Sequence, residues 1–88
     1  MARTARINGQ RWRIDRSKKL LPKLYGRCDY SQRLISVCRS LSGVPLLDTL
    51  IHEVIHARWP DLSEEAVEEV ASTLAAIITK EGFVDGQG

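Results

Sequence analysis

Thr49-Leu50-Ile51-His52-Glu53-Val54-Ile55-His56-Ala57 is the stretch whose reading decides how this 88-residue chain folds. It contains the pattern His-Glu-x-x-His and holds the only two histidines of the protein. On a helix, residues four apart stack one turn above each other on the same face. His52 and His56 can therefore aim two imidazoles at one point, the arrangement that binds zinc. Glu53 follows the first histidine directly, so its carboxylate can reach a metal-activated water without ligating the metal, and can serve there as general base. Leu46, Leu47, Leu50, Ile51, Val54 and Ile55 recur at three- and four-residue spacing beside the histidines and predict a helix running to about Arg58. The competing reading, two core histidines beside a surface glutamate, is weaker because the motif lies on a predicted helix with its own face left free.

Upstream of this helix the pattern is that of strands. Asn8-Gly9 is a strong hairpin signal, since both residues tolerate the positive φ of a type I′ turn. After it, Trp12 and Ile14 alternate with Arg11, Arg13 and Asp15, giving one apolar and one polar face. Residues 17–23 form a basic connection whose Pro22 breaks any continuous element. Residues 24–28 and 33–39 predict two further strands joined through Asp29-Tyr30-Ser31-Gln32. Ser42 or Gly43 can cap the motif helix, with Pro45 tolerated in its first turn.

Downstream, Trp59-Pro60-Asp61 is a tight break. Asp61 and Glu64 have capping-box spacing, and Ser63 is a competing cap. Val67, Val70, Ala71, Leu74, Ile77 and Ile78 outline a second helix, which Gly82 ends with Phe83 folded back on the last turn. The chain is read as one domain over 1–88: a basic β region over 1–40, a helical metal-site region over 43–83 and a loose tail over 84–88.

The net charge of +2 conceals an asymmetry: residues 1–40 carry eleven Lys or Arg against Asp15 and Asp29, while residues 41–88 carry Arg58 and Lys80 against nine acids. The basic half can serve as a nucleic-acid contact, although a solvated sheet face is the favoured reading. No apolar run approaches the roughly 18 residues of a membrane span, and the N-terminus lacks a signal-peptide core, so no membrane partner and a cytoplasmic location are expected. Cys28 and Cys38 are too few for a disulfide framework and read as buried free thiols.

Two histidines leave a zinc site one protein ligand short, since catalytic zinc usually takes three protein ligands and one water. The second helix supplies Glu64, Glu65, Glu68 and Glu69 just after the break. In an antiparallel helix pair, residue 64 lies level with His56 and residue 68 with His52. Glu64 and Glu68 share a face, so one can ligate while the other orients an imidazole. Glu65 and Glu69 are the alternative pair. Glu64 is favoured.

With these residues in place, the chain resembles a minimal zincin metallopeptidase. Thr49 to Ala57 is similar to the active-site helix of the gluzincins and of the SprT-like and ImmA/IrrE-type families. Residues 33–39 stand where those families place the edge strand that pairs with an extended substrate. Glu64-Glu65-Ala66-Val67-Glu68-Glu69-Val70-Ala71 resembles their glutamate helix, in which a ligand Glu precedes an Asp or Asn by four residues, followed by a bulky apolar and a small residue. Matching Val70-Ala71 to that last pair implies Glu64 as ligand and Glu68 as its support. The whole is similar to short metallopeptidase-like proteins of bacteriophages and prophages, which implies a bacterial host cytoplasm. The chain departs from these families in its short His56-to-Glu64 interval, in Glu at 68, and in lacking the third histidine of SprT-like sites. Tyr25, Tyr30 and the arginines, all but Arg58 placed before the motif, are its candidates for stabilising an oxyanion.

The expected architecture is α+β: a small antiparallel sheet from the N-terminal half packed on a two-helix C-terminal half carrying the motif. The expected activity is zinc-dependent hydrolysis of a peptide or protein substrate. The alternative is a zinc-stabilised binding module for nucleic acid or a protein partner without turnover, or a zincin-like scaffold in a phage particle or regulatory complex.

Overall fold

The computed structural model describes residues 3–17 and 25–83. The basic connection apart from Ser17, Leu24 of the third predicted strand, and the tail over 84–88 fall outside them. Four strands, β1 (Arg3–Ile7), β2 (Gln10–Ser17), β3 (Gly26–Asp29) and β4 (Leu34–Cys38), precede two helices, α1 (Gly43–Arg58) and α2 (Glu64–Lys80). The expected α+β arrangement, with sheet first and helices second, is what the chain adopts.

The β1–β2 hairpin turns at Asn8 and Gly9, with φ of 54° and 78°, and pairs Ile7 with Gln10 across a two-residue loop. The sheet is mixed, however, and not purely antiparallel. Its order is β1-β2-β4-β3, and β4 runs parallel to β2 while β3 runs antiparallel to β4. The reason lies in composition: β4 is the most apolar strand, and Ile35 and Val37 are fully buried. It takes an interior place, leaving the short Gly26-Arg27-Cys28-Asp29 segment at the rim. The edge strand expected over residues 33–39 is therefore β3, and β4 is internal.

Helix α1 lies against one face of the sheet and α2 packs on α1. Ile7, Trp12, Ile35, Val37 and Ala57 form the main core, joined by Leu46, Leu50 and Val54 of α1. A second cluster joins the helices through Ile51, Ile55, Val67 and Ala71. Fully burying a Val or Ile side chain is worth about 1.5–3 kcal/mol, so these few residues carry most of the packing energy. Arg16 holds the link between β4 and α1, its Nη2 donating to the carbonyls of Cys38, Arg39 and Leu41 at 3.4, 3.2 and 2.7 Å. At that end of α1, Ile14, Val37, Leu46, Leu50, Ile78 and Phe83 line an apolar cavity of about 730 Å³. No helix among the described residues is long and apolar enough to cross a membrane.

Helix α2 starts at a different cap from the expected capping box. Ser63 is its N-cap, with the hydroxyl accepting from the Ala66 N–H at 3.1 Å. Asp61 lies two residues too early to reach that turn. At the other end Gly82 takes φ 94°, and its N–H donates to the Thr79 carbonyl, the left-handed stop that the sequence predicts. The cap assignment is checked by denaturant unfolding. Ser63→Ala is expected to cost about 1 kcal/mol, and Asp61→Ala to leave the midpoint essentially unmoved.

Candidate metal centre

A helix advances roughly 100° per residue, which sorts the side chains of α1 into sectors. Leu46, Leu50, Val54 and Ala57 face the sheet, and Ile51 and Ile55 face α2. His52 and His56 occupy the next sector, with Thr49 and Glu53 between them and β3. The motif thus opens into a cleft of about 600 Å³, walled by Tyr25 and Gly26 on one side and by Glu64, Glu68 and Ser72 of α2 on the other. The larger apolar cavity holds none of the motif residues.

His52, His56 and Glu64 converge there, each offering one donor atom, all within 4.8 Å of one another. Nε2 of His52 lies 2.7 Å from Glu64 Oε1, Nε2 of His56 lies 3.3 Å from Oε2, and the two ring nitrogens are 3.1 Å apart. Around a tetrahedral zinc with bonds of about 2.0–2.1 Å, donor atoms stand roughly 3.3 Å from one another. The 3.1 and 3.3 Å separations are of that size and the 2.7 Å contact is shorter, with each histidine facing a different oxygen of the Glu64 carboxylate. Proton bookkeeping points the same way. If both Nε2 atoms donate to Glu64, the contact between the rings sets donor against donor; if one is bare, its lone pair faces the carboxylate. A cation among them removes the conflict, because all three groups then present lone pairs to one point.

Glu53 is 8% exposed, and burial pushes its carboxyl above the ordinary carboxylate range. The neighbouring His52 and His56 oppose that shift, and Glu64 adds to it. The close seat of this carboxyl depends on Gly26 of β3. A Cβ there would stand 2.6 Å from Thr49 Cγ2 and 2.9 Å from Glu53 Oε2, closer than side chains tolerate. Helix and strand approach this nearly only because residue 26 has no side chain.

Tyr30, in the turn between β3 and β4, donates its hydroxyl to the His56 carbonyl at 2.9 Å, satisfying one of the last carbonyls of α1. Its ring meets Trp12 edge-on, at a centroid distance of 6.1 Å. Burial raises its phenol, with Cys28, Glu53 and Glu64 adding to the effect. Tyr25 lines the cleft.

Of the four glutamates that compete to complete the site, Glu64 alone stands with the histidines. Glu68 lines the cleft one turn on but makes no ion pair or hydrogen bond to either imidazole among the described residues. Glu65 and Glu69 are exposed and outside the cleft. The thiols of Cys28 and Cys38 are free, half-buried and not among the three donors. Burial pushes Cys28 up to about 11. Asp48 also lines the cleft and accepts from the Ser72 hydroxyl at 3.5 Å. Its place four residues before His52, in the same helical row, was the signal that could have found it. Gly26 carries no such local signal, since its role depends on a strand meeting a helix some 25 residues away in sequence.

Comparisons with models of protein families, with curated proteins and with solved structures gave no match to this chain. The site therefore rests on its own geometry.

Gly26→Ala tests the close approach. Forcing a methyl between β3 and α1 is expected to destabilise the protein by about 1–3 kcal/mol, measured by thermal or denaturant unfolding. Gly9→Ala, in the open hairpin turn, meets nothing within 4 Å and serves as the comparison for a purely backbone cost.

Proposed function

We propose that this chain is a zinc-dependent, zincin-like metallopeptidase, in which His52, His56 and Glu64 hold the ion and Glu53 is the general base. The observation that carries this reading is the convergence of three donor atoms within 4.8 Å, two from α1 and one from α2, beside the buried carboxylate of Glu53 on α1. A zinc ion bound there supplies Lewis acidity and lowers the pKa of a water. The protein's own residues do the rest. Glu53, held against Gly26 and kept from solvent, takes up the proton of the attacking water and can return it to the departing amine. Its raised pKa suits that exchange, because a base nearer neutrality both accepts and releases protons readily.

The substrate follows from the wall of the cleft. Among the described residues, edge strand β3 has β4 on one side only, so its other side presents backbone groups with no strand partner beside the motif. An extended peptide can add there as a further strand, its carbonyls led past Glu53. A peptide or protein substrate is the class this edge fits.

The second reading, a zinc-braced binding module without turnover, draws on the place of Glu64. It is the first residue of α2, so a shared ion ties the two helices together. A donor set completed by a cysteine would favour this reading. Three donors without a thiol leave the fourth position to water, the pattern of catalytic zinc.

Protein purified without an affinity tag is expected to carry about one zinc per chain, measured by elemental analysis and chelator titration. A protein that takes up no zinc at micromolar concentration ends the reading. Glu53→Gln should keep the ion and the fold while losing peptide hydrolysis; loss of zinc in that variant would make Glu53 a ligand or a structural partner. Among alanine variants, Glu64→Ala should weaken zinc most and Glu68→Ala by at most about 10–100-fold. Glu65→Ala and Glu69→Ala should stay near wild type. An active Glu53→Gln variant with full zinc would remove Glu53 from the role of base, and a zinc-loaded wild-type protein that hydrolyses no peptide would leave only the braced module.

A further inference from the structure

The register of the sheet places Arg6, Arg11, Arg13 and Arg27 on one surface, while Arg3 and Arg16 lie on the other. Residues directly opposite each other on paired strands share a face, so Arg6 with Arg11, and Thr4 with Arg13, project from the side of the sheet away from α1. The partners on the other side of the register, Ala5 with Trp12 and Ile14 with Ile35, point into the core. Arg6, Arg11, Arg13 and Arg33 are all exposed, and none of them makes an ion pair among the described residues. Arg27, on the same face, is paired with Asp29 at 3.8 Å. Like charges placed directly opposite on a sheet destabilise it, yet Arg6 faces Arg11 with no carboxylate between them. Arg33 is drawn into the same corner, its Nε donating to the Arg11 carbonyl at 3.1 Å. Two acids share this face, Asp15 two residues beyond Arg13 on β2 and Asp29 paired with Arg27, and they leave its positive charge in excess. Asp48, Glu53, Glu64 and Glu68 wall the cleft on the helical side. A polyanion is therefore repelled from the cleft and drawn to the outer face of the sheet.

We propose that this outer face, through Arg6, Arg11, Arg13 and Arg33, binds the phosphate backbone of nucleic acid, in place of the merely solvated face favoured from sequence. The inference rests on the sheet register alone and stands apart from the metal centre. Three guanidiniums without ion pairs among the described residues, Arg6 on β1 and Arg11 and Arg13 on β2, spaced about 4.8 Å across the sheet and about 7 Å along it, form an array of phosphate donors, with Arg33 beside them just before β4; Arg6 and Arg33 also donate to the Gly9 and Arg11 carbonyls. No aromatic ring lies on this face: Trp12 points inward. With no platform on which to stack bases, recognition is by phosphate contacts, independent of sequence and favouring duplex over single strand. Among the described residues, Leu34 is the one sizeable apolar side chain of this face, and it is half-buried, which offers an anionic bilayer little to insert.

Fluorescence anisotropy with a labelled DNA duplex, a single strand of the same length and anionic vesicles tests this on the full chain. Duplex binding at low salt is expected, weakening about 40- to 150-fold between 50 and 200 mM salt for three to four phosphate contacts. Arg6→Gln, Arg11→Gln and Arg13→Gln should each reduce the salt slope by about 1, while Lys80→Gln on α2 changes nothing. Thermal melts show that each variant folds, and Arg6→Gln should melt at or above wild type because a like-charge pair is relieved. No duplex binding at low salt, binding unaffected by the three arginine substitutions, or binding to vesicles alone would each overturn the proposal. The metal-site variants should leave duplex binding unchanged.

Discussion

Helix α1 has no idle sector, and the structure follows from that. One side is committed to the sheet through Leu46, Leu50 and Val54, the next to α2 through Ile51 and Ile55. What remains is the sector between α2 and β3, where His52 and His56 stand with Glu53 at their flank. A helix with apolar neighbours on two sides cannot turn without exposing one cluster or burying an imidazole. The packing that holds the fold therefore also sets the direction of the two histidines. Tyr30 pins the last turn by its bond to the His56 carbonyl, so the second histidine is fixed at both backbone and ring.

Periodicity within one element was the legible part of this chain. The alternation around Trp12 and Ile14, the Asn8-Gly9 turn, the stripe of α1 and the Gly82 stop all act within a few residues, and each appears where the pattern places it. Pairing between elements was less legible. Hairpin signals link neighbours in sequence, so they suggested an antiparallel meander. The slot between β2 and β3 went instead to the most apolar strand, a global choice about which segment is buried on both edges. The site divides in the same way. His52, Glu53 and His56 are visible because helical geometry is local. Glu64 needed the length of the turn at Trp59–Ser63, and Gly26 needed the tertiary contact itself.

Charge follows the same partition. The sheet covers its inner face with α1 and leaves its outer face to solvent, so its polar residues are sorted by register and not by sequence neighbourhood. Arg11 and Arg13 lie outward, whereas Arg16 lies inward, where its guanidinium ties down the chain entering α1. The three arginines of one strand thus stand on opposite faces of the sheet. Four acids of the helical half, Asp48, Glu53, Glu64 and Glu68, line the cleft on the other side of the sheet, so under the two proposals an anionic partner and a metal ion would approach from opposite sides.

Glu64 connects the site to the stability of the fold. Helix α2 meets the rest of the protein chiefly through α1, and its fully buried contacts are few: Val67, Ala71 and Ala75. Two of these are alanines, which contribute little apolar area, while Val70, Leu74 and Ile77 remain largely exposed. Packing alone therefore holds α2 weakly for a helix of 17 residues. A ligand at its first residue would, under the proposed reading, change that balance, because the free energy of binding an ion between His52, His56 and Glu64 would also be free energy for docking α2. Under the proposed reading, the residue that completes the metal centre also completes the helix pair. In so small a domain, site and core are then one cooperative unit.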